Sequence, residues 1–211
     1  MDIVETFDKE LFKNVILNIE ERILNQQSYL DIAETDEDTL YMIEMYSQYN
    51  FMFEALTLYL EHYFNHLDVV GEKDIFGDYP NLFNMRVDNI ISDRFKDVLI
   101  ILERSMKRKM KNVKNVNKRN FKDLTKLYLK SQLITEEEAE LMEGIRHIRN
   151  VIFHYDYDTQ VTKTFVYHEH LKIEMVKGEF MQTEKLYFKY NLILWIENLM
   201  TNIIIRSNEK K

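Results

Sequence analysis

Cysteine is absent from the 211-residue chain, proline occurs once and glycine four times. Without cysteine there are no disulfides and no thiolate metal sites, which suits a reducing compartment. So few turn-formers and helix-breakers predict long helices joined by few loops. Four glycines leave no phosphate-binding glycine loop, and neither a nucleophile elbow nor a dinucleotide-binding fingerprint is present. A long apolar run is missing too: the most apolar stretch, residues 192–205, is too short to span a bilayer and is interrupted by Glu197 and Asn198. The N-terminal MDIVETFDKE is acidic and lacks a basic segment followed by an apolar run, so no signal peptide is expected. The expectation is a soluble cytoplasmic protein with no membrane partner.

What is present is ordinary for a globular chain: 45% hydrophobic and 30% charged residues, at a length that suits one domain spanning residues 1–211. The net charge of -8 argues against a simple nucleic-acid-coating protein, but the charge is segregated. Residues 104–126 hold ten Lys or Arg and one acid, Asp123, a local +9. The remainder carries 18 basic and 35 acidic residues, or -17. Such a run is either a surface that attracts polyanions or a solvated helix–loop–helix junction.

Hydrophobic periodicity predicts helices over about 3–26, 39–67, 82–110, 121–131, 135–154 and 183–206. Asp36 or Asp38 could cap the second. The crowding of Tyr, Phe, Met and Leu on most sides of that helix predicts one buried within a bundle. Pro80 should end any helix before it. The sequence TEEE places Glu138 three residues after Thr135, a capping box. Phe165, Tyr167, Leu171, Ile173 and Met175 alternate with polar residues, and Lys177-Gly178 marks a turn, so a β-hairpin is expected near 161–181. The fold expected is all-α, a bundle of about five to six helices with a small β-hairpin before the last.

His62 and His66 are four apart on the second helix, and His168 and His170 share a strand face. HYFNH lacks the HExxH pattern, so core or interface histidines are the better reading and no metal is expected.

The stretch EGIRHIRNVIFHYDY, residues 143–157, concentrates polar chemistry at the end of an amphipathic helix. At about 100° per residue, Leu141, Ile145, Ile148 and Ile152 form the core stripe, with Arg146, His147, Asn150 and His154 opposite and Arg149 near the boundary. A purely structural reading has Arg146, Arg149 and His147 complementing the helix C-terminal dipole. Arg149 and His154 lie five apart, roughly 140° around the axis, so one helix does not bring them together well. A reaching arginine, a distorted helix end or a second copy could do so.

Arg149-Asn150-Val151-Ile152-Phe153-His154 resembles the HEPN superfamily, in which an arginine, often followed by a polar residue, precedes a histidine by four to six positions late on a bundle helix. The resemblance covers these six positions and the all-α character. It implies a metal-independent endoribonuclease in a toxin or defence role. Arg149, Asn150 and His154 would be its catalytic residues, and no cofactor is implied. It also implies a homodimer with a composite site, RNA as substrate, and an antitoxin or other protein partner. Non-catalytic RNA, nucleotide or protein binding is the alternative such domains offer. Histidine titrates near neutrality and can move the 2′-hydroxyl proton, while arginine stays charged and binds phosphate oxygens. Arg146, Lys107, Arg108, Lys109 and Lys111 are the candidate substrate-binding cations. Some HEPN toxins carry a modified tyrosine two residues after the motif histidine; here that position is Asp156, between Tyr155 and Tyr157.

Overall fold

A computed structural model describes residues 9–70, 80–154, 160–167, 171–179 and 186–210. Among them are seven α-helices, one 3-10 turn at Val116–Lys118 and one two-stranded sheet. The helices are α1 (Lys9–Leu24), α2 (Gln26–Leu30), α3 (Asp36–Val70), α4 (Pro80–Lys109), α5 (Phe121–Lys130), α6 (Glu136–His154) and α7 (Leu186–Asn208). The strands β1 (Lys163–Tyr167) and β2 (Leu171–Met175) lie between α6 and α7, so the fold is an all-α bundle with a hairpin before its last helix.

Local chemistry accounts for several boundaries. Thr35, rather than Asp36 or Asp38, caps α3: its Oγ1 accepts from the Asp38 N–H at 3.2 Å and donates to Asp38 Oδ2 at 2.7 Å. Pro80 is the first residue of α4, where a missing N–H costs nothing. Asn120 Oδ1 accepts from the Asp123 N–H at 2.9 Å and starts α5. At α6 the capping box is formed, with the Glu138 N–H donating to Thr135 Oγ1 (3.1 Å) and the Thr135 N–H to Glu138 Oε2 (2.8 Å). The gap between the first two expected helices contains the short helix α2.

The hairpin pairs Lys163 with Met175, Phe165 with Ile173 and Tyr167 with Leu171, antiparallel, so the alternating apolar set shares one face. Lys177-Gly178 is a turn, but it follows β2 rather than joining the strands. Gly178 takes φ +81, the left-handed region that a side chain disfavours.

α3 packs on α1 and α4, α4 packs on α7, α5 packs on α6, and β1 lies against α6. α3 is one-sided rather than buried all round. Tyr41, Met42, Met45, Tyr46, Tyr49, Met52 and Leu56 are in the core, while Leu40, Ile43, Phe51 and Leu58 are exposed.

Within the core sits a charge. Glu197 of α7 is 2% exposed, ion-paired with Arg22 of α1 and accepting from the Tyr49 hydroxyl of α3 at 2.6 Å. Burial pushes the Glu197 carboxyl above its ordinary range despite Arg22. The Tyr190 hydroxyl and Arg22 Nε both donate to Asn18 Oδ1, at 2.6 and 3.2 Å, which extends the network.

Removing one partner of a buried pair strands the other, at a cost of about 3–5 kcal/mol. Arg22→Met should therefore lower the unfolding free energy by an amount of that order. Glu197→Gln in the same background should restore much of it, as read from urea denaturation midpoints. At the capping box, Thr135→Ala should cost about 1 kcal/mol in the same assay.

Candidate functional site

Rotation of α6 about its axis decides what its polar residues can reach. Leu141, Met142, Ile145, Ile148 and Val151 are buried at 2% exposure or less, so Met142 and Val151 join the expected stripe, whose fourth member, Ile152, has a side chain outside the described residues. The flanking residues Arg146, His147, Arg149 and Asn150 are all half-buried rather than turned fully to solvent. They divide between two clefts, one on each side of the helix.

The larger cleft, about 690 Å³, lies between the start of α3, the end of α4 and α6. Leu40 and Ile100 supply its apolar surface. Its cations are Arg149 and four members of the basic run: Arg104, Lys107, Arg108 and Lys111. Asp36, Glu37 and Glu103 also line it, so cations are in excess. Each of these cations has an acidic neighbour. Arg104 and Arg108 reach Glu44 at 2.9 and 3.2 Å, and Lys111 reaches Glu37. Lys107 donates to Glu103 Oε1 at 2.7 Å, and Arg149 Nη2 lies 3.3 Å from the other oxygen of the same carboxylate. Arg104, Arg108 and Lys111 thus form an acid–base seam with α3, a helix with no Lys or Arg. Pairs as exposed as Lys111–Glu37, whose lysine is 64% exposed, are worth little and exchange readily. Lys109 differs: it is 9% exposed and bonded at 2.5 Å to Asp38, itself 2% exposed, so it serves the interior of the bundle.

The smaller cleft, about 200 Å³, opens between α6 and the hairpin. Arg146, His147 and Asn150 line it from the helix, Gln160 and Val161 from the segment before β1, and Met175 from β2. Arg146 is clamped by Glu143 through two bonds, Nε at 2.8 Å and Nη2 at 2.7 Å. That guanidinium holds the Glu143 carboxyl down to about 2. Arg146 Nη2 is also 2.9 Å from His147 Nε2, and Glu143 Oε1 lies 3.3 Å from the same ring nitrogen. Burial, then the charge of Arg146, pulls His147 below its ordinary value.

Arg149 and Asn150 therefore open onto different clefts, and Arg146 joins Asn150 rather than Arg149. His154 is the last residue of α6, but its side chain lies outside the described residues, as do those of His62 and His66. His168 and His170, and Asp156 with its flanking tyrosines, lie outside them altogether. His147 had only a dipole-complementing role in the sequence; the signal for its cluster was Glu143, four residues before it and three before Arg146, within reach of both on one helix. Among the described residues no group of three or more His, Asp or Glu could hold a metal, and no helix is long and apolar enough to cross a membrane. Comparison with protein-family models, with curated proteins and with solved structures gave no match to this chain.

Two titrations follow from the smaller cleft. The His147 C2–H resonance should titrate below 6.5, and Arg146→Ala should move it upward by removing the adjacent positive charge. Glu143 is depressed in the folded state, so its stabilising contribution is present above 4.5 and is lost as pH falls toward about 2. The stability difference between wild type and Glu143→Gln should shrink across that window.

Proposed function

We propose that the protein is a metal-independent endoribonuclease of the HEPN type. The observation that supports this reading most is where Arg149 sits: the arginine of the RNVIFH motif shares one wide cleft with Arg104, Lys107, Arg108 and Lys111. Two features far apart in sequence, the motif and the basic run, meet where a phosphodiester would be held. In this reading His154 takes the proton of the RNA 2′-hydroxyl, whose oxygen attacks the adjacent phosphorus. The P–O5′ bond breaks and the departing 5′-oxygen takes a proton, that of the His154 imidazolium or one from water, leaving a 2′,3′-cyclic phosphate and a 5′-hydroxyl. Arg149 neutralises the charge of the pentavalent phosphorane through its fixed fork. Asn150 opens onto the other cleft, so the role left to it is to orient the imidazole of His154, one turn later on the same helix.

The five-residue spacing favours a composite site, with Arg149 of one subunit working beside His154 of a second in a homodimer. Cytoplasmic action as a toxin or defence nuclease, restrained by an antitoxin, accords with this chemistry. A second reading, RNA binding without cleavage, is favoured by one observation: Arg149 is already paired with Glu103, and the cleft cations with acids.

Purified protein should cut single-stranded RNA in EDTA. His154→Ala should lower the rate by about 10²–10⁴-fold, the usual worth of a general base, with thermal unfolding unchanged. Arg149→Ala should be comparably impaired. Binding without cleavage in wild type would select the second reading. In either case, neutralising Lys107, Arg108 and Lys111 should flatten the dependence of log affinity on log salt, by about 0.7 for each RNA phosphate that is no longer neutralised.

A further inference from the structure

The basic run divides in two on the folded chain. The cations of its first half, Arg104 to Lys111, are tied to Glu37, Asp38, Glu44 and Glu103. The stretch that follows, residues 114–130, holds six Lys or Arg and one acid, Asp123, a local +5. Lys114, Lys118, Lys122, Lys126 and Lys130 recur there every four residues, and all are exposed. Among the described residues none of these five side chains has an ion-pair or hydrogen-bond partner. Glu143 is the acid that senses Lys122, and Arg146 already holds it through two bonds. On α5 the lysines at 122, 126 and 130 form one line, since four residues advance about 6 Å along a helix and turn only about 40° off register. The opposite face fixes that line outward. Phe121, Leu124, Thr125 and Tyr128 are buried, and the Tyr128 hydroxyl donates to the Met106 carbonyl at 2.9 Å.

The line starts at the larger cleft. Val116, 3% exposed, pins the 3-10 turn; Asn117 beside it lines that cleft, and Lys118 ends the turn exposed. We infer that this turn and α5 form an exosite for single-stranded RNA, with Lys118, Lys122, Lys126 and Lys130 following its phosphates out of the larger cleft. Cations repeating at about 6 Å suit a polymer whose charges also repeat regularly. Lysines without acid partners neutralise phosphates directly and release their counterions, whereas the cations of the cleft must first part from Glu37, Glu44 or Glu103. An acidic protein would seek apolar anchors at the centre of its contact, and α5 exposes one large apolar side chain, Leu129. The affinity follows from the charges alone; the path out of the cleft rests on the ribonuclease reading.

Binding of 2′-O-methyl RNA, which lacks the attacking hydroxyl, tests the inference by fluorescence anisotropy across a series of salt concentrations. The variant Lys122→Gln/Lys126→Gln/Lys130→Gln should lower the slope of log affinity against log salt by about 2 for a long strand, at about 0.7 per lost phosphate contact. By the same relation its affinity at about 0.1 M salt should fall roughly 100-fold, with thermal unfolding unchanged. A dinucleotide, confined to the larger cleft, should bind variant and wild type alike. Lys13→Gln/Lys177→Gln, which removes exposed charge from α1 and from the turn after β2, should leave the slope unchanged. An unchanged slope in the triple variant, an equal loss per charge in the control, or equal losses for long and short ligands would overturn the inference. Poly-L-glutamate binding the three lysines as tightly as RNA of equal charge would assign the stripe to an acidic protein and overturn it too. Cleavage of unmodified RNA is read separately. Cutting with binding indifferent to the three lysines leaves a nuclease without the exosite. Lysine-dependent binding with no cutting leaves the exosite and removes the nuclease.

Discussion

The angular setting of α6 is the constraint on which the site depends, and burial imposes it. Five apolar side chains between Leu141 and Val151 are packed into the core. Turning the helix would expose them, and each large side chain returned to water costs about 1.5–3 kcal/mol. With that face locked, successive residues at 100° intervals must diverge. Arg149 goes to the α3–α4 side and Asn150 to the hairpin side. Adjacent residues thus serve clefts of different character, one with excess positive charge and one electrically quiet.

Polar contacts fix the helices around α6. Glu138 is both the second half of its capping box and the acceptor for Asn202 (3.1 Å) and Arg206 of α7, so the start of α6 is tied to the end of the last helix. The Glu197–Arg22–Tyr49 cluster joins α7 to α1 and α3 in the same manner. Such buried groups are poor sources of net stability, but they penalise any packing that separates them. Together with Lys109–Asp38 they tie helix pairs that the apolar residues alone would allow to slide.

The basic run shows how tertiary context alters a charge argument. A local +9 reads in sequence as either an attractive patch or a solvated junction, yet α3 lays Glu37 and Glu44 against Lys111, Arg104 and Arg108, and Glu103 stands within the cleft. What remains is a cleft whose cations are held in place by exchangeable carboxylates. A polyanion there competes with those acids rather than meeting bare charge. The same acids keep the cations oriented when no ligand is bound.

Much of the architecture was legible in the chain. The scarcity of proline and glycine, the helical periods, the alternation before the last helix and the TEEE box anticipate the long helices, the hairpin and the α6 cap, though not the short α2, because these depend on neighbours within a few residues. The motif and its awkward five-residue spacing were legible for the same reason. Three features were not. Whether α3 buries one face or all depends on which helices lie beside it, and it leaves Leu40, Ile43, Phe51 and Leu58 uncovered. Its cap fell to Thr35 because Asp38 is drawn inward to Lys109, 71 positions away. The division of Arg149 and Asn150 between two clefts arises from what packs on either side of α6. Local sequence by itself determined where the long helices run and which face of each is apolar. Only the tertiary structure decided which charges are cancelled and which residues share a cleft, because both depend on atoms brought together from distant parts of the chain.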